Sequence, residues 1–123
     1  MKIPSSEISL DRIVNYINKT PLIKSDRLSS KNQNVFFKLE SFQKTGSFKV
    51  RGALNKVYST DFNSEIVAAS SGNHGAAVSY ALKTKNISGK IYVPQSAKKS
   101  QIDKIKSLTI APILHLKCYP CLF

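Results

Sequence analysis

The residue of this chain best suited to covalent chemistry is Lys49, preceded by Gln43-Lys44-Thr45-Gly46-Ser47-Phe48 and followed by Val50-Arg51-Gly52-Ala53. It stands behind a Thr-Gly-Ser turn, beside an aromatic ring and at the mouth of an amphipathic helix. A primary amine so placed condenses with an aldehyde cofactor, and pyridoxal phosphate is the first candidate. A solvated lysine is protonated at neutral pH, so the site is expected to desolvate it, with Phe48 and the apolar helix face as the means. A second block, Ser70-Ser71-Gly72-Asn73-His74-Gly75, combines glycines that admit a ligand close to the backbone with the N–H groups of an opening helix, an anion site suited to a carboxylate. The plainer accounts are a surface lysine on a basic protein and a Ser-Gly-Asn turn that only caps a helix.

The elements that must hold these residues follow from hydrophobic spacing. Leu10, Ile13, Val14 and Ile17 predict a short amphipathic helix behind Ser9, ended by Thr20-Pro21. Val35-Phe36-Phe37-Lys38-Leu39 predicts a strand. Val50, Ala53, Leu54, Val57 and Tyr58 fall at i, i+3, i+4, i+7 and i+8, which puts Lys49 on or beside the first turn of a helix. Ile66-Val67-Ala68-Ala69 predicts a strand running straight into the Ser-Ser-Gly-Asn turn, and Ala77, Tyr80 and Ala81, with Val78 and Leu82, give the next helix its inner face. Lys90-Ile91-Tyr92-Val93 is the next strand, closed by Pro94, and Ser96 is expected to cap a helix that turns Ile102, Ile105 and Leu108 inward. Strands and helices alternating in this way predict an α/β fold with parallel strands and crossover helices.

Composition narrows the partners. The 123 residues, 41% of them hydrophobic, suffice for a packed core. Nineteen Lys and Arg against seven acidic residues give a net charge of +12, yet the basic residues are scattered. The densest group, Lys98, Lys99, Lys104 and Lys106, fits the wet face of one helix rather than the aromatic-laced stripe of a nucleic-acid module, so no nucleic-acid partner is expected. The first seven residues carry no apolar core of a secretory signal, no apolar run is long enough to span a bilayer, and the cytoplasm is the expected compartment. Cys118 and Cys121 are the only cysteines, so a disulfide framework is not indicated. With His115 they offer three soft ligands where a structural zinc needs four, so no metal site is assigned.

Phe37-Lys38-Leu39-Glu40, leading into Gln43 through Asn55, resembles the cofactor-lysine motif of the fold-type II pyridoxal-phosphate enzymes, and among them the serine racemase and serine/threonine dehydratase family. Ser70 through Gly75 resembles that family's substrate-carboxylate loop, and Thr20-Pro21-Leu22 its N-terminal pattern. The resemblance covers residues 8–107. From Leu108 onward the sequence departs from the family pattern and reads as a foreign tail. The expected organisation is therefore residues 1–60 as the opening of a large domain with the cofactor lysine, 61–107 as most of a small α/β domain, and 108–123 as an aberrant tail. The resemblance also implies a truncated enzyme, without the glycine-rich phosphate cup, the partner of the pyridine nitrogen and the metal ligands of the family's later part.

By the same resemblance, Lys49 and Ser71 are the catalytic pair, Lys49 taking the α-proton on one face of the substrate and Ser71 facing the other. Lys49, Phe48 and Asn73 bind the cofactor, Asn73 by a hydrogen bond to the cofactor's phenolic oxygen. Ser71, Gly72, Asn73 and His74 bind the substrate, and His74 has no catalytic role. Many dehydratases of the family carry alanine at the position of Ser71, so the serine tilts the expectation toward racemisation with side elimination. Ser25, Lys44 and Thr45 match nucleotide contacts of animal racemases, which also bind ATP and a divalent metal. Asp26, where a second serine is expected, puts a carboxylate that works against phosphate binding. The implied reaction is racemisation of serine, or elimination of the hydroxyl of serine or threonine to a 2-oxo acid and ammonia, with this chain inactive or nearly so by itself. Full-length relatives are homodimers, which leaves open a pairing with a full-length subunit. Two alternatives remain: a non-catalytic fragment or interaction product, and a β-replacement enzyme of the same fold such as cysteine synthase.

Overall fold

The computed structural model describes residues 5–61, 65–109 and 111–116. The first helix, α1 (Ser6–Ile13), begins earlier than its apolar spacing suggests, because Ser5 rather than Ser9 caps it: the Ser5 hydroxyl accepts from the Ile8 N–H at 3.3 Å. Ser9 lies inside the helix and accepts from the Asn55 side chain, while Arg12 donates to the same Asn55, so α1 is tied sideways to the helix that follows Lys49. A 3₁₀ turn, Val14–Tyr16, ends it.

Two short strands follow, β1 (Leu22–Lys24) and β2 (Phe36–Lys38), paired antiparallel with Ile23 opposite Phe37. The spacing predicts the second and not the first. After the 3₁₀ turn Glu40–Phe42 comes α2 (Lys49–Tyr58), whose Val50, Ala53, Leu54 and Val57 are buried as the i, i+3, i+4, i+7 pattern requires.

From there the chain alternates: β3 (Ile66–Ala69), α3 (Asn73–Lys85), β4 (Gly89–Pro94), α4 (Lys99–Leu108) and β5 (Ile113–Leu116). The three strands form one parallel sheet in the order β3-β4-β5, each joined to the next by a single helix. The core gathers around α3, which packs on β3 and β4 and on the helices α2 and α4, and it includes Leu54, Leu82, Ile91, Val93 and Ile105. α3 is buried on more of its circumference than its sequence pattern predicts, Gly75, Ala76 and Ser79 included, because α2 and α4 both pack on it. Tyr80, expected inward, is half-buried and donates its hydroxyl to the Tyr16 carbonyl at 3.1 Å. The start of α4 also differs from expectation: residue 98, not Ser96, is the cap, and its N–H donates to the Gln101 side chain at 3.3 Å.

β5 comes from the segment that the sequence pattern sets apart as a tail. Residues 113–116 pair in parallel register with Ile91 to Pro94, and Ala111 is part of the core. Cys118, Cys121 and the rest of 117–123 lie outside the described residues.

Candidate active site

Lys49 is the first residue of α2, and what fixes it is the loop before the helix. Phe48, at the cap position, offers no side-chain bond to the first-turn N–H groups, so the helix start does not stabilise itself. Gly46 closes the turn at φ +73°, a left-handed conformation that a side chain would strain, and its N–H donates to the Gln43 carbonyl at 2.8 Å. The buried Gln43 amide is clamped in both directions: it accepts from the Asn18 N–H at 3.0 Å and donates to the Asn18 carbonyl at 2.7 Å.

Beyond that clamp lies an ion pair. Arg51, two residues after Lys49, sends Nε to Glu40 Oε2 and a terminal nitrogen to Glu40 Oε1, both at 2.9 Å. The Thr20 hydroxyl donates to Glu40 Oε1 at 2.6 Å, and Lys38 Nζ donates to the Thr20 carbonyl at 2.6 Å. The Arg51 fork holds the Glu40 carboxyl at about 2, well below the ordinary 4.5; partial burial opposes this, and Thr20 and Lys38 reinforce it. Glu40 in turn raises the Arg51 guanidinium above its ordinary value. Glu40 and Arg51 both belong to the block around Lys49, though no spacing rule pairs them. Opposite charges flanking a lysine within one ordered block were the available signal.

The lysine itself is exposed. Its Nζ lies 5.2 Å from the centroid of the Phe48 ring, a cation–π distance, and Phe48 is 59% exposed. The desolvated environment expected around Lys49 is therefore not formed by the described residues: the lysine and the Phe48 ring beside it both stay open to solvent. A cavity of about 710 Å³ opens between α2 and β3, lined by Phe48, Lys49, Gly52, Ala68, His74 and Val78 among others. A second of about 360 Å³ is lined by Ser70, Ser71, Gly72, Tyr92, Pro94 and Leu116 among others. Lys49, Phe48 and His74 thus share one cavity, and Ser71 and Gly72 line the other. Asn73, exposed, is the first residue of α3 and lines neither.

The loop carrying Ser71 is shaped by its neighbour. The Ser70 hydroxyl accepts from the Gly72 N–H at 3.2 Å, a role the sequence reading did not foresee. Gly72 is the extended cap of α3 and supplies no side chain to the first-turn N–H groups, which leaves a helix end able to receive an anion. Gly75 is required by packing, since a Cβ there would sit 2.1 Å from the Ser70 carbonyl oxygen. Of the matched nucleotide residues, Ser25 lies just after β1 and its hydroxyl accepts from the Leu28 N–H at 3.3 Å, whereas Lys44 and Thr45 lie in the turn before α2. Lys44 is exposed, and Thr45 is 2% exposed with no partner for its hydroxyl. Among the described residues no three His, Cys, Asp or Glu side chains converge, and no helix is long and apolar enough to cross a membrane.

Residues 13–115 match the model of the pyridoxal-phosphate dependent enzymes. The chain belongs to this family. The match runs eight residues past the point where the motif resemblance ends, in agreement with the pairing of β5. Over 99 residues the chain is 44% identical to the serine racemase of Arabidopsis thaliana, covering 77% of this chain and 30% of that protein. In structure it is similar to serine racemase from Dictyostelium discoideum, with a TM-score of 0.83 and 35% identity over 93% of this chain and 38% of that one. It is also similar to the T.th. threonine deaminase, with a TM-score of 0.78 and 29% identity over 95% of this chain and 38% of that one. The chain therefore spans about a third of the length of the relatives it matches, and its mixed α/β architecture is that of the fold-type II enzymes. The residues at the rim of the larger cavity fit the family's cofactor: a solvent-accessible primary amine with an aromatic ring beside it.

Proposed function

We propose that this chain carries the amine-bearing and carboxylate-binding elements of a pyridoxal-phosphate enzyme that racemises serine, or removes the hydroxyl of serine or threonine to give a 2-oxo acid and ammonia. The observation that carries this reading is the placement of Lys49, an exposed amine at the first residue of α2, on the rim of the 710 Å³ cavity and against the Phe48 ring. When bound, the cofactor supplies an electron sink for charge developing at the substrate Cα. The rest falls to the chain's own residues. Lys49 Nζ holds the cofactor and then exchanges the α-proton, and Ser71 Oγ is the second proton-transfer group. The open N–H groups at the start of α3, with Ser71, Gly72, Asn73 and His74 around them, receive the substrate carboxylate. Asn73 would hydrogen-bond the cofactor's phenolic oxygen, and Phe48 would help to hold the cofactor.

Residues 1–60 act in this reading as the opening of a large domain and 61–107 as most of a small one, working in the cytoplasm. The matched nucleotide residues Ser25, Lys44 and Thr45 are a lesser part of it. Because Lys49 stays in water here, a dry site requires further protein surface, and the 123-residue chain mixed with serine and pyridoxal phosphate is expected to form little or no pyruvate or D-serine. Robust turnover would overturn that expectation. Borohydride trapping followed by peptide mapping is expected to place the pyridoxyl label on Lys49, with the label lost in Lys49→Ala. A label elsewhere, or none, removes the reading.

A second reading, an interaction product that docks on a full-length subunit, is favoured by the apolar residues left exposed on β1 and β2. Co-purification with a full-length homologue tests it.

A further inference from the structure

Glu40 and Arg51 are eleven positions apart, and Lys49 lies between them on a stretch with little regular structure of its own. That stretch is a 3₁₀ turn, a glycine in the left-handed region and an uncapped helix start. The Gln43 clamp and the buried Val50 hold this stretch in place, but no side-chain cap fixes the rotation of the first turn of α2, on which Lys49 sits. The position of the amine therefore depends on what ties the two ends together.

We propose that Glu40 and Arg51 form a latch that positions Lys49, with Thr20 as its third member; the proposal rests on the role assigned to Lys49 above. Two parallel N–H···O bonds between a planar guanidinium and a planar carboxylate fix orientation as well as distance, which a single contact does not. Arg51 is on the same first turn as Lys49, so pinning its side chain pins the rotation of that turn. The carboxylate is itself held: the Thr20 hydroxyl bonds Oε1, and Lys38 fixes the Thr20 carbonyl. Three segments, 20, 38–40 and 51, thereby converge on one anion. The pair is no ordinary surface ion pair, because the Glu40 and Arg51 side chains are 16% and 32% exposed.

The latch has a second effect. Arg51 lines the same cavity as Lys49, and an unpaired guanidinium there would compete with the amine's neighbourhood for any phosphate or carboxylate entering it. Paired with Glu40 in a bidentate contact, it is occupied. Glu40 and Arg51 are thus positioning residues that act through the loop, not groups that touch the reacting atoms.

The test compares the 123-residue chain with Glu40→Gln, Arg51→Met, Arg51→Lys and Thr20→Val. Each is incubated with pyridoxal phosphate and trapped with borohydride, the share of label on Lys49 against the other lysines is mapped, and amide hydrogen exchange is followed in residues 43–51. Circular dichroism checks folding. The native chain is expected to concentrate label on Lys49, and Glu40→Gln and Arg51→Met to lower that share by roughly ten-fold or more, the scale of one lost charged hydrogen bond. Exchange in 43–51 should rise while β4 stays protected. Arg51→Lys keeps the charge without the fork and should not restore selectivity. If Lys49 is labelled selectively in the native chain and equally so in both variants, with unchanged exchange, the latch is wrong and the role of Lys49 stands. If the native chain is labelled elsewhere, both fall. Should the charge variants fail to fold, Thr20→Val decides: a smaller loss in the same direction supports the latch, and native selectivity overturns it.

Discussion

The antiparallel ribbon β1–β2 and the parallel sheet β3-β4-β5 are built from comparably apolar strands and meet different surroundings. Leu22 at 63% exposure, Ile23, Phe36 and Phe37 all face solvent, whereas Ile91 and Val93 on the central strand β4 are wholly buried and only the outer strands of that sheet expose large apolar residues, Val67 and Leu116. The cause is connection. Antiparallel neighbours need only a loop between them, which brings no cover, while parallel neighbours need a crossover, and in this chain each crossover is a helix laid on the sheet. An apolar strand is an offer of surface, and burial follows only where the topology delivers a partner. Lys49 stands at the border of the two regions. Its helix belongs to the core, and the loop before it is moored by Glu40 and Gln43 to residues 18–20 beside the ribbon.

The largest test of this contrast is within the core. Leu54→Ala or Leu82→Ala should cost about 2–5 kcal/mol in urea unfolding, and Phe36→Ser on the ribbon less than about 0.5 kcal/mol. Equal losses would mean that the ribbon is covered in solution. Next in size is a pH effect at the border. The folded Glu40 carboxyl lies below its ordinary value, so its contribution is complete above about 4.5 and is lost as pH falls toward about 2. The loss should be on the order of 2–3 kcal/mol between neutral pH and the acid limit. Urea titrations of the native chain and Glu40→Gln should therefore converge in acid, and parallel curves at every pH would remove the coupling. The smallest effect concerns the ribbon alone: Leu22→Lys should leave stability nearly unchanged while lowering self-association in sedimentation velocity, since the exposed apolar patch is what would associate.

Much of the fold could be read in advance where a local pattern and its tertiary partner agree. The inner face of α2, the strand Ile66–Ala69 and the helix opening at Asn73 follow from periodicity and from the Ser-Ser-Gly-Asn turn. β1 escaped because three residues carry no alternation to detect, and β5 because family motifs end before it although an apolar strand does not. The environment of Lys49 departs from its local pattern for a different reason. Phe48 is adjacent in sequence, but a ring beside an amine does not exclude water unless a further surface closes over both.

Residue type and order by themselves determined the alternation of strands and helices, the amine at a helix start and the glycine at 75 that the α3 turn requires, because each depends on backbone sterics and periodicity within a few residues. Only the tertiary structure decided that Glu40, Arg51 and Thr20 meet, that Lys49 shares a cavity with His74 rather than with Ser71, and that residues 113–116 close the sheet. Those outcomes depend on how segments far apart in the chain come to lie against one another, and no local pattern carries that information.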